Sequence, residues 1–218
     1  MSTFNANIVS DSIGRAWLAI ARLILEQGRS GHYDGLSIRE VLLASVRIEH
    51  PCSNDPLIAH YADPERLAWM HANFNDHARV AALGDADSYA TRLYDYARSG
   101  RNQLAWVTRR LREDPTCRSA TITTFQPLTD TTYVPCVSLL DFYLEDDQLN
   151  LVASCHSIDF GAKGYGNLVE LAFLAECVAK ELHVGVGALT MVIKSAHVYD
   201  TDTNYLEHVL DNAPQTGQ

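Results

Sequence analysis

The sequence predicts an α+β fold on three observations. Some segments repeat apolar residues at helical spacing, others alternate with period two, and two alternating runs flank one short charged turn. Strands separated by helices, with a hairpin among them, call for a sheet with helices gathered against it. The chain has 218 residues, enough for one ordinary domain with a sizeable core. No repeat, low-complexity tract or composition break divides it. It is therefore read as a single domain over 1–218 with a polar tail after about residue 210.

Ser10 to Gln27 is expected to be a helix. Ser10 and Ser12 are possible N-caps, Gly28 is a stop, and Trp17, Ile20, Ile24 and Leu25 form an apolar face. Gly28 to Gly35 is expected to be a polar loop, from which Arg29 can reach an anion. Arg39 to Glu49 alternates, with Val41, Leu43 and Ser45 on one face and Leu42, Ala44, Val46 and Ile48 on the other. Both faces are apolar, which fits a buried strand. Cys52 to Tyr61 is expected to be a loop. Asp63-Pro64-Glu65 is a strong helix start, a cap followed by proline at the first helical position, and that helix runs near Asp76.

Ala78 to Ser88 reads as irregular around Gly84, and Tyr89 to Tyr96 carries three tyrosines and Arg92. Arg101 to Asp114 is a helix with Leu104, Val107 and Leu111 inward and Arg109, Arg110 and Arg112 outward. Arg118 to Phe125 alternates as a strand. The runs on either side of Glu145-Asp146-Asp147-Gln148 form the hairpin. Leu168 to Leu182 is the longest apolar helix, and Gly185 to Ala196 is a strand with a Gly-x-Gly entry. That entry precedes a strand, so it is not a phosphate loop.

Acidic residues exceed basic ones by ten. This disfavours a nucleic-acid polymer as partner, which needs a basic surface, but leaves room for one nucleotide held by a few local cations. No apolar run approaches a membrane span, and the N-terminus lacks the pattern of a signal peptide. The five cysteines are odd in number and widely spaced, without Cys-x-x-Cys, so a reduced cytoplasmic protein is expected. His71 and His77 are six apart, which does not suit two ligands on one helical face, and no metal site is expected.

The hairpin gathers the chemistry. Cys136 follows Pro135 at the start of its first strand, and the second strand runs into His156, Ser157 and Asp159. A Gly-rich stretch then ends at Asn167. A sheet carrying a thiol beside an amide-rich loop is a candidate pocket for a planar, hydrogen-bonding ligand.

These residues resemble thymidylate synthase. The likeness rests on Pro135-Cys136, His156-Ser157-Ile158-Asp159, Asn167 and His197-Val198-Tyr199, in the family's order and spacing, and is strongest over Arg101 to Tyr199. Upstream, Asp114-Pro115-Thr116-Cys117-Arg118-Ser119 is similar to its phosphate-binding motif, and Tyr89 with Arg92-Leu93 to its Tyr-Gly-x-x-Trp region. The resemblance implies a bent mixed sheet covered by helices and a divergent member of the compact form, related also to pyrimidine nucleotide C5-hydroxymethylases.

The implied activity transfers a methyl or hydroxymethyl unit from 5,10-methylenetetrahydrofolate to C5 of a uridine nucleotide, dUMP or UMP. Cys136 is the implied nucleophile and Glu65, in Glu65-Arg66-Leu67-Ala68-Trp69, the implied catalytic carboxylate. Substrate binding falls to Arg118, His156, Ser157, Asn167, His197, Tyr199, Tyr89 and Arg29, and folate binding to Asp159 and Gly164. Asn carries a donor and an acceptor, which match uracil at O4 and N3; it is also an ordinary helix N-cap. A homodimer is implied, with Arg118 reaching the neighbouring subunit's phosphate and Arg118 the available cation for the thiolate.

The chain departs from the family at several positions. The Arg before Ser is His156, the second Arg of the pair is Ser119, and a glycine of the Gly-rich loop is Lys163. Fewer arginines weaken dianion binding. The alternatives are a CMP or dCMP 5-hydroxymethylase and a non-catalytic nucleotide-binding paralogue.

Overall fold

The computed structural model describes residues 5–131 and 133–214. The last four residues of the expected tail lie outside the described residues. The part before them is ordered differently from expectation, because a helix continues to Asn212.

The chain begins with β1 (Asn7–Ser10) and α1 (Ile13–Gln27). Ser12 caps α1 by accepting from Arg15 N, while Ser10 belongs to β1. The helix buries Ile13, Trp17, Ile20 and Ile24. The expected loop after Gly28 is instead a strand, β2 (Arg29–Tyr33), which turns at Asp34 and Gly35 and pairs antiparallel with β3 (Leu36–Ile48). Its polar composition hid it: β2 is an edge strand with both faces largely exposed, so no alternation marks it.

In β3 the two apolar faces expected from the sequence are not equivalent. Ile38, Val41, Ala44, Val46 and Ile48 are buried, while Leu43 is 52% exposed. Leu43 has φ 56°, a left-handed conformation rare for leucine, and it resets the alternation.

The expected loop at Cys52 to Tyr61 contains a helix, α2 (Pro56–Tyr61), capped by Asp55. The Asp55 carboxylate also accepts from Gly14 N at 2.9 Å, which ties α2 to the start of α1. Next come α3 (Pro64–Asn75), capped by Asp63 as expected, and a small hairpin of β4 (Arg79–Val80) and β5 (Ala86–Asp87). Then follow α4 (Tyr89–Tyr94), α5 (Gln103–Glu113) and β6 (Ala120–Thr123). Leu104, Val107 and Leu111 face the core from α5.

The hairpin is β7 (Val137–Glu145) and β8 (Gln148–Asp159). Asp146 and Asp147 both have positive φ, as the two-residue I′ hairpin turn requires. Helix α6 (Gly164–Leu182) starts four residues before the expected Leu168, within the Gly-rich stretch. Close packing sets that glycine content. A Cβ on Gly166 would lie 2.9 Å from Met70 Cβ on α3, and one on Gly164 2.6 Å from Phe160 Cδ1. Strand β9 (Gly185–Tyr199) and α7 (Thr203–Asn212) complete the chain.

The main sheet has seven strands in the order β1-β3-β9-β8-β7-β6, with β2 added to β3. It is mixed: β1 and β3 are parallel, as are β8 and β9, and the remaining pairs are antiparallel. Helices α1 and α6 pack on one face, where Val46, Ala153, Leu151, Met191 and Ile193 are buried. The opposite face carries Leu43 and Val192, both about half exposed. No described helix is long and apolar enough to cross a membrane.

Candidate active site

Parallel pairing of β8 with β9 sets Ser157 opposite Ser195 and Asp159 opposite His197. Cys136 stands immediately before β7, and its carbonyl accepts from His156 N at 3.1 Å. Three strand ends therefore meet where α6 begins. A cavity of ≈ 600 Å³ opens there, within the range of small-ligand sites. Cys136, His156, Ser157, Asp159, Asn167, His197 and Tyr199, all singled out in the sequence, line it. So do Tyr33 and Asp34 from the β2–β3 turn, Tyr133, Lys163 and Lys194.

Other expected residues lie elsewhere. Glu65 is exposed in the first turn of α3 and lies outside the cavity. Arg29 is held by Glu40 at 2.7 Å on β3 and does not line the cavity. Arg118 is exposed and donates to Thr116 O at 2.8 Å. Gly164 is packed under Phe160. Tyr89 is buried below the site; its hydroxyl accepts from Val137 N at 3.0 Å and so fixes the strand that carries Cys136.

Burial pushes the Cys136 thiol up, and Asp159 adds to this; Lys163 and a hydrogen bond from Tyr133 oppose it. Within one chain, the cation that favours the thiolate is Lys163, which lines the cavity, while the chain's own Arg118 does not. Lys163 is exposed, and its ammonium sits 5.6 Å from the Trp69 ring centroid, within cation–π range. Asp159 is pushed up to about 6 by burial and then by Asp202. One of its oxygens accepts from Gly161 N at 2.9 Å.

His197 is buried, which lowers its pKa and keeps the ring neutral at pH 7. Its Nδ1 lies 3.3 Å from Ser157 Oγ, and Tyr199 meets the ring edge to face at 5.2 Å. His156 is likewise lowered, by burial and then by Lys194.

Asn167 is not the cap of α6 but lies within its first turn. Its Nδ2 donates to Lys163 O at 3.1 Å, while its Oδ1 is buried with no partner among the described residues. His156 Nδ1 is buried and unpartnered too. Buried polar atoms ordinarily find partners, so two open groups on one cavity wall mark a surface built for a polar ligand. Tyr33, Tyr133 and Lys194 carried no motif. A positional signal existed for Tyr133, three residues before the thiol; Lys194, three residues from His197 on β9, is out of step with a strand's period of two and had none.

The family model described as thymidylate synthase matches residues 57–217. A protein of Methanosarcina mazei is 32% identical over 214 residues, covering 93% of this chain and 94% of the relative. One of Methanosarcina acetivorans is 33% identical over 215 residues, with 93% and 94% covered. Both are named "Putative thymidylate synthase". A "Bifunctional dihydrofolate reductase-thymidylate synthase" of Paramecium tetraurelia is 24% identical over 122 residues, 55% of this chain and 26% of that protein.

Proposed function

Because the chain belongs to the thymidylate synthase family, we propose that it transfers a one-carbon unit, methyl or hydroxymethyl, to C5 of a uridine nucleotide, dUMP or UMP. The observation that carries this reading is the buried, unpartnered Oδ1 of Asn167 in the same cavity as Cys136. Oδ1 accepts from uracil N3–H, and the second Nδ2 hydrogen is available to O4. Cytosine offers the opposite pair at these positions and is disfavoured.

Pyrimidine C5 is a weak nucleophile. Addition of the Cys136 sulfur to C6 breaks the 5,6 double bond and makes C5 enolate-like, with charge on O4. Lys163 favours the thiolate needed for that step, and the Tyr133 hydroxyl stabilises it. Asn167 donates to the developing charge at O4, an interaction worth most in a dry site. His197 and Tyr199 hold the sugar hydroxyls. Ser157, His156 and Lys194 face the phosphate, with Arg118 supplied by a second copy in a homodimer.

The donor 5,10-methylenetetrahydrofolate supplies the one-carbon unit when bound. The Asp159 side chain fits it: one oxygen is taken by Gly161 N–H, leaving the other to accept from a ring N–H. With a pKa of about 6 it is mostly ionised at pH 7 and able to do so. Water exclusion at the cavity mouth decides between methyl and hydroxymethyl products. Five free cysteines and the absence of a membrane-spanning helix among the described residues support a cytoplasmic setting.

A second reading, a non-catalytic nucleotide-binding paralogue, is favoured by one observation: the resting thiol is raised, not lowered. Incubation with the methylene donor and dUMP, UMP, dCMP or CMP in turn, read by mass spectrometry, tests both. A C5-modified uridine nucleotide is expected. Binding without any product supports the second reading, and modified cytidine overturns the base assignment.

A further inference from the structure

A second cavity, of ≈ 320 Å³, lies behind the first and shares Gly84 and Tyr133 with it. At its floor, Arg92 is 2% exposed and spends four of its five N–H donors: it donates to Asp87 O, Thr124 O and both oxygens of Asp130. Gln126 is less used. It lines this cavity and is 9% exposed; its Oε1 accepts from Thr129 Oγ1 at 3.1 Å, while Nε2 is buried with no partner among the described residues.

The mouth carries two half-exposed guanidinium groups. Arg98 directs Nε and Nη2 to the same Asp87 oxygen, at 3.1 and 2.6 Å, and Arg79 stands 3.8 Å from that oxygen. Arg79 Nη1 is used by Asp85 O. Among the described residues, Arg98 Nη1 and Arg79 Nη2 meet no acceptor. Counting Asp85 and Asp87, the charges at the mouth cancel, so net charge does not choose the ligand. Open donors on Arg79 and Arg98 stand at the mouth beside open acceptors, the Asp85 carboxylate and Asp87 Oδ2; within the cavity the buried open group is a donor, Gln126 Nε2, and it calls for an acceptor.

We propose that this cavity is a binding site for a carboxylate-bearing group. Its oxygens would take the guanidinium hydrogens at the mouth and the Gln126 amide hydrogens within. Charge-assisted contacts of this kind are the strong ones, and arginine suits a planar carboxylate. The volume suits a short acid or one end of a larger molecule, not a whole nucleotide. The carboxylate has two possible sources: a free small dicarboxylate, or the glutamate end of a pteroylglutamate whose other end occupies the first cavity. The site itself does not depend on the reaction proposed above; only the second source does.

The test uses the full chain and calorimetric titration with glutarate, with folic acid, and with the diamide of folic acid. Two variants are compared with wild type, Arg98→Ala and Gln126→Leu. Gln126→Leu removes a buried unpartnered donor, so the ligand-free protein should melt higher, while carboxylate affinity falls. A merely structural glutamine would not give opposite signs. If glutarate binds and each variant weakens it at least tenfold, the site takes free dicarboxylates. If folic acid binds, both variants weaken it tenfold, and the diamide binds weakly and equally to all three proteins, the site takes the tail. Affinities for glutarate and folic acid that stay within twofold across the three proteins, or no binding of either, overturn the proposal.

Discussion

Asp159 combines burial with an ordinary carboxylate's need for water, and the conflict is measurable. Its pKa of about 6 in the folded protein lies above the ordinary value near 3.8. The native state therefore holds the proton more tightly than the unfolded chain. The stability this contributes is fully present below about pH 4 and is lost as pH rises through about 6. A shift of this size corresponds to roughly 3 kcal/mol. Asp159→Asn should thus raise Tm relative to wild type, by more at pH 7.5 than at pH 4.5, while weakening folate; equal Tm differences at both pH values would contradict this. Asn167→Asp removes the donor to O4, and base preference should move towards cytosine at least about tenfold, since breaking a buried pairing costs about 1–3 kcal/mol. The ratio of kcat/KM for uridine and cytidine nucleotides checks it. Lys163→Met should raise the Cys136 pKa and slow thiol alkylation at pH 8, because Lys163 is the cation that favours the thiolate.

Helix α6 brings Asn167 to the cavity and packs on α3 where glycine replaces a side chain. Gly166→Ala would set a methyl 2.9 Å from Met70 Cβ and 3.0 Å from its Cγ. Helix α3 is tied to the segment just before α6, because Arg66 donates to Gly161 O at 3.0 Å, and to Asp202 at 2.8 Å. Overpacking of this kind costs about 1–3 kcal/mol. Calorimetry should show a lowered Tm, and KM for the nucleotide should rise because Asn167 is the next residue. Element identity was legible wherever a physical signal was local. Asp63-Pro64 announced α3, and the β7–β8 hairpin was marked by alternation around a charged turn. The same Asp-Pro signal stands at Asp55-Pro56, where Asp55 caps α2, so that helix too has a local mark in the sequence. Strand β2 was hidden: an edge strand of polar residues has no alternation to read, and only pairing with β3 makes it a strand. The reset at Leu43 is likewise a tertiary effect, visible in φ and not in composition. Of the site, the strand-borne residues were legible because pairing of β8 and β9 collects them. Residues assigned from loose local likeness, Glu65 and Arg29, sit outside the cavity: Glu65 is exposed on the first turn of α3, and Arg29 is paired with Glu40.

At the scale of the whole molecule, one sheet face is covered by helices and the other is not. Leu43 and Val192 are about half exposed on the open face, and Arg118 is exposed and does not line the cavity of its own chain. A second copy packed on that face would cover the apolar residues and explain an arginine without a local ligand. Light scattering at micromolar concentration should therefore give the mass of a dimer, and a fully active monomer would refute this. One core cluster spans residues from Ile13 to Ala213, so heat should unfold the chain in one transition, as a single domain does. The central claim is that Cys136 adds to the C6 of a uracil nucleotide. Intact-protein mass spectrometry after incubation with 5-fluoro-dUMP, with and without methylenetetrahydrofolate, tests it most directly. The expected result is a covalent adduct of the wild-type protein, promoted by the folate, with the added mass on the peptide containing Cys136 and none in Cys136→Ser, which should still fold and bind nucleotide. No adduct in a protein that binds the nucleotide, or an adduct that persists in Cys136→Ser, would contradict the account.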